Sequence, residues 1–173
     1  MQSSSRALLL SRKVLRLLVM GTAVYTAAIL GLLIATLVAR EWSIAALGIP
    51  AAQQSDSLVL GMRLIMVGGL AGAAIFYVII QRLREVVDTV FAGDPFISEN
   101  AGRLRGIAWA LLAAELLHYA IGGIAASIST EAQPLDVGLG LSLTRWIAVL
   151  LLFVLAGVFE HGARMRDDLE GTV

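Results

Sequence analysis

The chain has 173 residues, 58% of them hydrophobic, with a mean hydropathy of +0.85 and zero formal net charge. Soluble domains are about 45–50% apolar even with glycine included, so the composition excludes an ordinary soluble domain, and the balanced charge excludes a global field for nucleic acid or anionic lipid. Cysteine is absent, which removes disulfides, thiolate catalysis and cysteine metal sites, and two histidines are too few for a metal cage. No catalytic motif appears, so the expectation is a protein that is not an enzyme and holds no cofactor or metal.

Four apolar runs follow in chain order. About 20 apolar residues cross the ~30 Å hydrocarbon core as a helix. Leu17 to Val38 has no charge, Leu58 to Ile80 has only Arg63, Ile107 to Ile128 contains Glu115 and His118, and Leu139 to Phe159 contains Arg145. Arg6, Arg12, Lys13 and Arg16 precede the first run as in a signal peptide. Its apolar core exceeds an h-region of about 7–15 residues and no small-x-small site follows, so it reads as an anchor. The predicted spans are about 15–39, 58–80 continuing to 91, 107–128 preceded by helix from 99, and 139–160, with a tail at 161–173.

Lys and Arg in short loops set orientation. Four lie in the N-terminal segment, four in 81–106 (Arg82, Arg84, Arg103, Arg105) and two in the tail (Arg164, Arg166), against Arg40 alone in 39–57 and none in 129–138. Both termini and the central segment are therefore expected in the cytoplasm.

The central segment, Gln81 to Arg105, is the one long polar stretch inside the chain. Leu83, Val86, Val87, Val90 and Phe91 recur at helical spacing, so the second helix is expected to continue to Phe91, about 50 Å from Leu58 at 1.5 Å per residue. Gly93 ends it, Pro95 blocks continuation, and Ser98 suits the N-cap of the next helix. The predicted fold class is thus all-α integral membrane: four transmembrane helices, with the second and third extended into a cytoplasmic helical hairpin turning at 93–97. Leu83, Val87, Val90 and Phe91 of one arm are expected to pair with Ala101 and Leu104 of the other. The two arms can bury much of this face in each other. The alternative is a docking site: Asp94, Pro95, Phe96, Asn100, Arg103 and Arg105, with Arg164 and Arg166 of the tail, are then available to a soluble partner, as long cations beside an exposed aromatic often are at interfaces. Phe96 and Ile97 at the tip can also rest on the membrane surface.

Inside the membrane, Arg63, Glu115, His118 and Arg145 form the polar set. Charge there is costly and usually faces protein or a water-filled cavity. A structural ion pair with arginines snorkelling outward and a sensing or ion site are both open, and Glu115 is expected to face inward with a partner. Gly68 and Gly72 of the second run, and Gly122, Gly123 and Ala126 of the third, permit close helix contact, here within the chain.

Gly93-Asp-Pro-Phe-Ile-Ser-Glu-Asn100, followed by Arg103-Leu-Arg-Gly-Ile-Ala-Trp109, resembles the signature of the bacterial domain-of-unknown-function family 2975. The ending Val158-Phe-Glu-His-Gly-Ala-Arg-Met-Arg-Asp-Asp-Leu-Glu-Gly-Thr-Val173 resembles that family's tail, with His161 and Met165 as small departures. The resemblance implies four membrane helices and, from frequent gene neighbourhood, a small helix-turn-helix regulator as partner. It supplies no catalytic residue. The functional expectation is a polytopic inner-membrane protein that anchors or controls such a regulator without binding nucleic acid itself. The alternatives are a small transporter or channel subunit using the intramembrane polar set, and a structural scaffold.

The orientation can be checked directly, because a chain without cysteine accepts single reporters. A cysteine at Ser55 is expected to react with an impermeant reagent in intact cells, and one at Ser98 is not. The reverse pattern would overturn the orientation.

Overall fold

The computed structural model describes residues 2–49, 54–130, 140 and 142–170, with side chains from residue 10 to residue 169. Residues 131–138 of the expected 129–138 loop, 50–53 of the 39–57 loop, 171–173 of the tail and the Arg6 side chain lie outside that description.

The described residues form helices and no β-strand: α1 Gln2–Val38, α2 Arg40–Ala46, α3 Asp56–Phe91, α4 Ser98–Ile128 and α5 Leu143–Glu170. Hydrocarbon offers no hydrogen bonds, so a spanning backbone must satisfy itself, as a helix does. Four of the helices are long and apolar enough to cross a membrane, and at most 22% of each one's apolar window is buried inside the molecule. Leu17, Val24, Leu60, Trp109, Leu150 and Leu151 are among the large apolar side chains left exposed. Continuous apolar surface on this scale is foreign to a soluble monomer and matches lipid as solvent.

The expected bounds of the second and third helices agree with α3 and α4 within two residues. Other bounds differ: α5 begins at Leu143 where the fourth span was expected from about 139, residues 139 and 141 lying outside the described set. Helix α1 begins at Gln2 rather than near residue 15. A short helix, α2, occupies part of the 39–57 loop and buries Ser43 and Ile44; it ends where Gly48 takes φ +84° and the Gly48 and Ile49 amides donate back to the Ala45 and Ile44 carbonyls. Helix α5 runs through Gly162 to Glu170, so it continues into the expected tail. One glycine costs a helix only about 1 kcal/mol.

The chain divides into two compact units. The first comprises Met1–Gly21, Ile75–Ala113 and Ser142–Val173; the second comprises Thr22–Ala74 and Ala114–Leu141.

In the second unit, α3 and α4 touch through glycine notches. Gly61 meets Ile128, Gly68 meets Ile121 and Gly72 meets Leu117. Steps of seven and then four residues along α3 match equal steps backwards along α4, which is an antiparallel register. Gly68 and Gly72 therefore serve packing within the chain, as their spacing predicts. On α4 the expectation needs correcting: Gly123 and Ala126 face outward, while Gly122 and Ala125 are buried. Ser55 caps α3, its hydroxyl accepting from the Leu58 amide at 3.2 Å, and Asp56 pairs with Arg40 at 2.6 Å.

The first unit has its own core. Leu104 and Ile107 of α4 and Ala156 of α5 pack with Ile79, Leu111, Leu152 and Phe159, and Trp109 meets Phe153 edge-on at 5.3 Å. Helix α3 ends in a Schellman turn: Gly93 takes φ +83°, its amide reaches the Val90 carbonyl, and the Asp94 amide reaches that of Thr89. An alanine there has the Cβ penalty of the left-handed region. Gly93→Ala is expected to destabilise the protein by about 1–2 kcal/mol, read as a lowered melting temperature in detergent. An unchanged Tm would show that the turn does not depend on this conformation.

Candidate interaction site where the two signature segments meet

The two segments that carry the resemblance, 93–109 and 158–170, lie in the same unit and dock onto each other. Asp94, Phe96 and Arg105 of the first find partners on the second, and Asn100 is held inside the turn.

Asn100 is the centre. It sits in the first turn of α4 and is 0% exposed. Its Nδ2 donates to Thr89 Oγ1 of α3 at 2.6 Å and to the Pro95 carbonyl at 2.9 Å, and its Oδ1 accepts from Arg103 at 2.8 Å. One amide thus ties the last turn of α3, the connection and the first turns of α4. The expectation that Asn100 stays available to a partner is therefore corrected: polar residues are usually exposed, but a fully hydrogen-bonded amide can be buried. Arg103 also leaves the accessible set in part, bonding Glu85 of α3 at 3.1 Å as well as Asn100.

Phe96 stacks on Phe159 with ring centroids 5.2 Å apart. Its ring also lies over Gly162, where an added Cβ would sit 3.0 Å from Phe96 Cδ1. The tip aromatic is thus seated on α5, although the residue remains 46% exposed. Ion pairs surround this seat. Asp94 takes Arg166, and Glu160 takes Arg105 at 2.6 Å and Arg164 at 2.5 Å. Of the expected docking residues, Asp94, Pro95, Phe96, Asn100, Arg103, Arg105, Arg164 and Arg166 are all brought to one place, but their polar groups are largely spent on one another.

The arm faces are rotated from the expected ones. Val86, Ala101, Leu104 and Ala108 are buried, whereas Leu83 and Val90 are each 40% exposed. Thr89 meets Asn100 of α4, Val86 is buried three residues before it, and Leu83 and Val90 turn outward. Helix α1 covers Phe91: the Arg12 guanidinium lies 4.1 Å from the ring centre and bonds Asp88 at 2.7 Å.

The intramembrane polar set does not gather in one unit. Arg63, Glu115 and His118 belong to the second and Arg145 to the first. Arg63 donates to the Thr36 carbonyl. Glu115 is buried at 5% exposure, and the His118 ring lies 5.9 Å from Tyr119. Arg145 is exposed in the first turn of α5. No three His, Asp or Glu among the described residues are placed to share a metal ion.

Sequence reasoning missed Thr89, Phe159, Glu160 and Gly162 as parts of the joint. A signal existed: the tail motif is polar, glycine-bearing and follows a span directly, like the turn motif, and it offers Glu160 and Arg166 to the other's Arg105 and Asp94.

The buried amide makes a sharp test. Asn100→Asp keeps the shape but puts an acceptor against the Pro95 carbonyl. A loss of about 1–3 kcal/mol is expected, read as a lowered Tm, while Ser98→Ala is expected to change little, because Ser98 lies inside α4 and its exposed hydroxyl bonds Glu99 rather than serving as the expected N-cap. Equal melting of Asn100→Asp and the parent protein would remove the amide from this role.

Residues 32–173 match the family model described as protein of unknown function (DUF2975), and the match spans both docked segments and every helix except α1, of which it takes in only residues 32–38. No curated protein and no solved structure matches the chain. With four-fifths of its length inside that match, the chain belongs to the DUF2975 family.

Proposed function

We propose that this protein is a regulatory anchor of the bacterial inner membrane, with both termini and the α3–α4 turn in the cytoplasm, and that it holds a small soluble helix-turn-helix regulator. The Lys/Arg distribution supports the orientation. The observation that carries the docking role is a group of apolar side chains exposed on charged helix extensions. Leu83 and Val90 of α3 are each 40% exposed, and Met165 and Leu169 of α5 are 55% and 71% exposed. All four lie beyond the apolar runs, beside Arg84, Glu85, Asp88, Arg164, Asp167 and Asp168. Segments this charged are poorly suited to the hydrocarbon core, and an apolar patch with a polar rim is the usual anatomy of a protein interface. Met165 and Leu169 are one turn apart and share a helix face, the pattern by which a helix offers anchors to a groove.

Phe96 and Arg103 are poor probes of docking, since both hold internal contacts. Met165→Glu with Leu169→Glu alters the exposed face alone. The expected result is a cytoplasmic DNA-binding protein that co-purifies with the parent chain from solubilised membranes and is lost from the double variant, with Tm unchanged. Retention of that protein by the double variant, or its absence from the parent preparation, would overturn the proposal.

A further inference from the structure

One cleft in the first unit lies beside the Arg12–Asp88 pair and has no part in the joint around Asn100. It has a volume of about 210 Å³ and is lined by Arg12, Leu15 and Arg16 of α1 and by Arg84 and Asp88 of α3. Three guanidiniums face a single carboxylate. Asp88 is already bonded to Arg12 at 2.7 Å, and Arg12 is further fixed over the Phe91 ring. Arg16 and Arg84 have no hydrogen-bond or ion-pair partner among the described residues. They differ in this from Arg40, Arg103, Arg105, Arg164 and Arg166, each of which is bonded to a carboxylate. The lining thus carries two uncompensated positive charges in a chain with none overall.

The place of the cleft along its own helices decides what anion it fits. Arg16 immediately precedes the apolar run that starts at Leu17, and Arg84 lies one turn beyond Ile80, where the second run ends. Counted along these runs, both fall where a hydrocarbon core of about 30 Å would give way to headgroups. Leu15 is buried in the same wall, so the cleft offers cations to a phosphate and an apolar side to what is attached to it. Guanidinium matches phosphate oxygens in geometry as well as charge, and basic pockets between membrane helices are suited to anionic headgroups. We propose that this cleft binds the phosphate of an anionic phospholipid, with Arg16 and Arg84 as its main ligands and Arg12 held ready beside them by Asp88 and Phe91. The cleft shares Arg84 and Asp88 with the charged surroundings of Leu83 and Val90 but not with the α5 face that carries Met165 and Leu169, and it does not rest on the regulator reading.

The test titrates the purified full-length chain in detergent with dioleoylphosphatidylglycerol, dioleoylphosphatidylcholine or inorganic phosphate, and reads bound ligand by native mass spectrometry. Phosphatidylglycerol is expected to bind far better than phosphatidylcholine or free phosphate. Its Kd is expected to rise about fivefold in Arg84→Gln and about 25-fold when Arg16→Gln is added. Lys13→Gln with Arg82→Gln removes the same charge from positions that do not line the cleft, and is expected to leave the Kd within about twofold of the parent. Arg84→Gln alone, at an exposed side chain without an internal bond, keeps the test valid if the double variant does not fold. Free phosphate binding as well as the lipid, Arg84→Gln binding like the parent, or equal losses in both double variants would each overturn the proposal.

Discussion

A single buried amide organises the first unit. Asn100 joins the end of α3, the Pro95 carbonyl and Arg103 of α4. An amide removed from water loses its solvent bonds in full, and only complete pairing inside makes that acceptable. Asn100 therefore tolerates one geometry of the turn, because any slip leaves a donor or acceptor stranded. The Schellman turn at Gly93 and the rigid ring of Pro95 deliver the chain to that geometry. With the connection fixed, Asp94 and Phe96 are presented outward in a defined direction, toward Arg166 and Phe159.

The contacts built on that frame are of two kinds. Phe96 on Phe159, together with Leu104, Ile107 and Ala156, excludes water and supplies the cohesion. The ion pairs around them are partly exposed, and such pairs are weak singly. Their effect is on alignment: a carboxylate shared by Arg105 and Arg164 favours one placement of α5 against α4 without adding much to its strength.

The spans and the helical turn were legible in the sequence because their signals are local. Apolar runs, a 3.6-residue period, and glycine and proline at 93 and 95 report on neighbours in the chain. What was illegible depended on distant residues. Asn100 reads as a surface residue until Thr89 and Pro95 are placed around it. Phe96 has no visible cover in its own segment, since its cover is Phe159 and Gly162. The missing side chain of Gly162 makes room for that ring. The arm face was misplaced because Leu83, Val86, Val87 and Val90 spread over too wide an arc for composition to say which edge meets α4.

The glycine notches of the second unit act as mechanical detents. Gly61, Gly68 and Gly72 hold Ile128, Ile121 and Leu117, and their unequal spacing of seven and four residues has no repeat at one helical turn. Slide α4 by four residues in one direction and Ile121 finds Gly72, but Ile128 comes against Ile65 and Leu117 against Phe76. Slide it the other way and Leu117 finds Gly68, while Ile121 comes against Leu64 and Ile128 against Ser57. Only one tenant in three finds a notch either way. An axial push on this stretch of α3 therefore carries α4 along with it. Within this pair, piston strokes of one helix past the other are closed off, and the motions left to it are shared tilt, bending and roll.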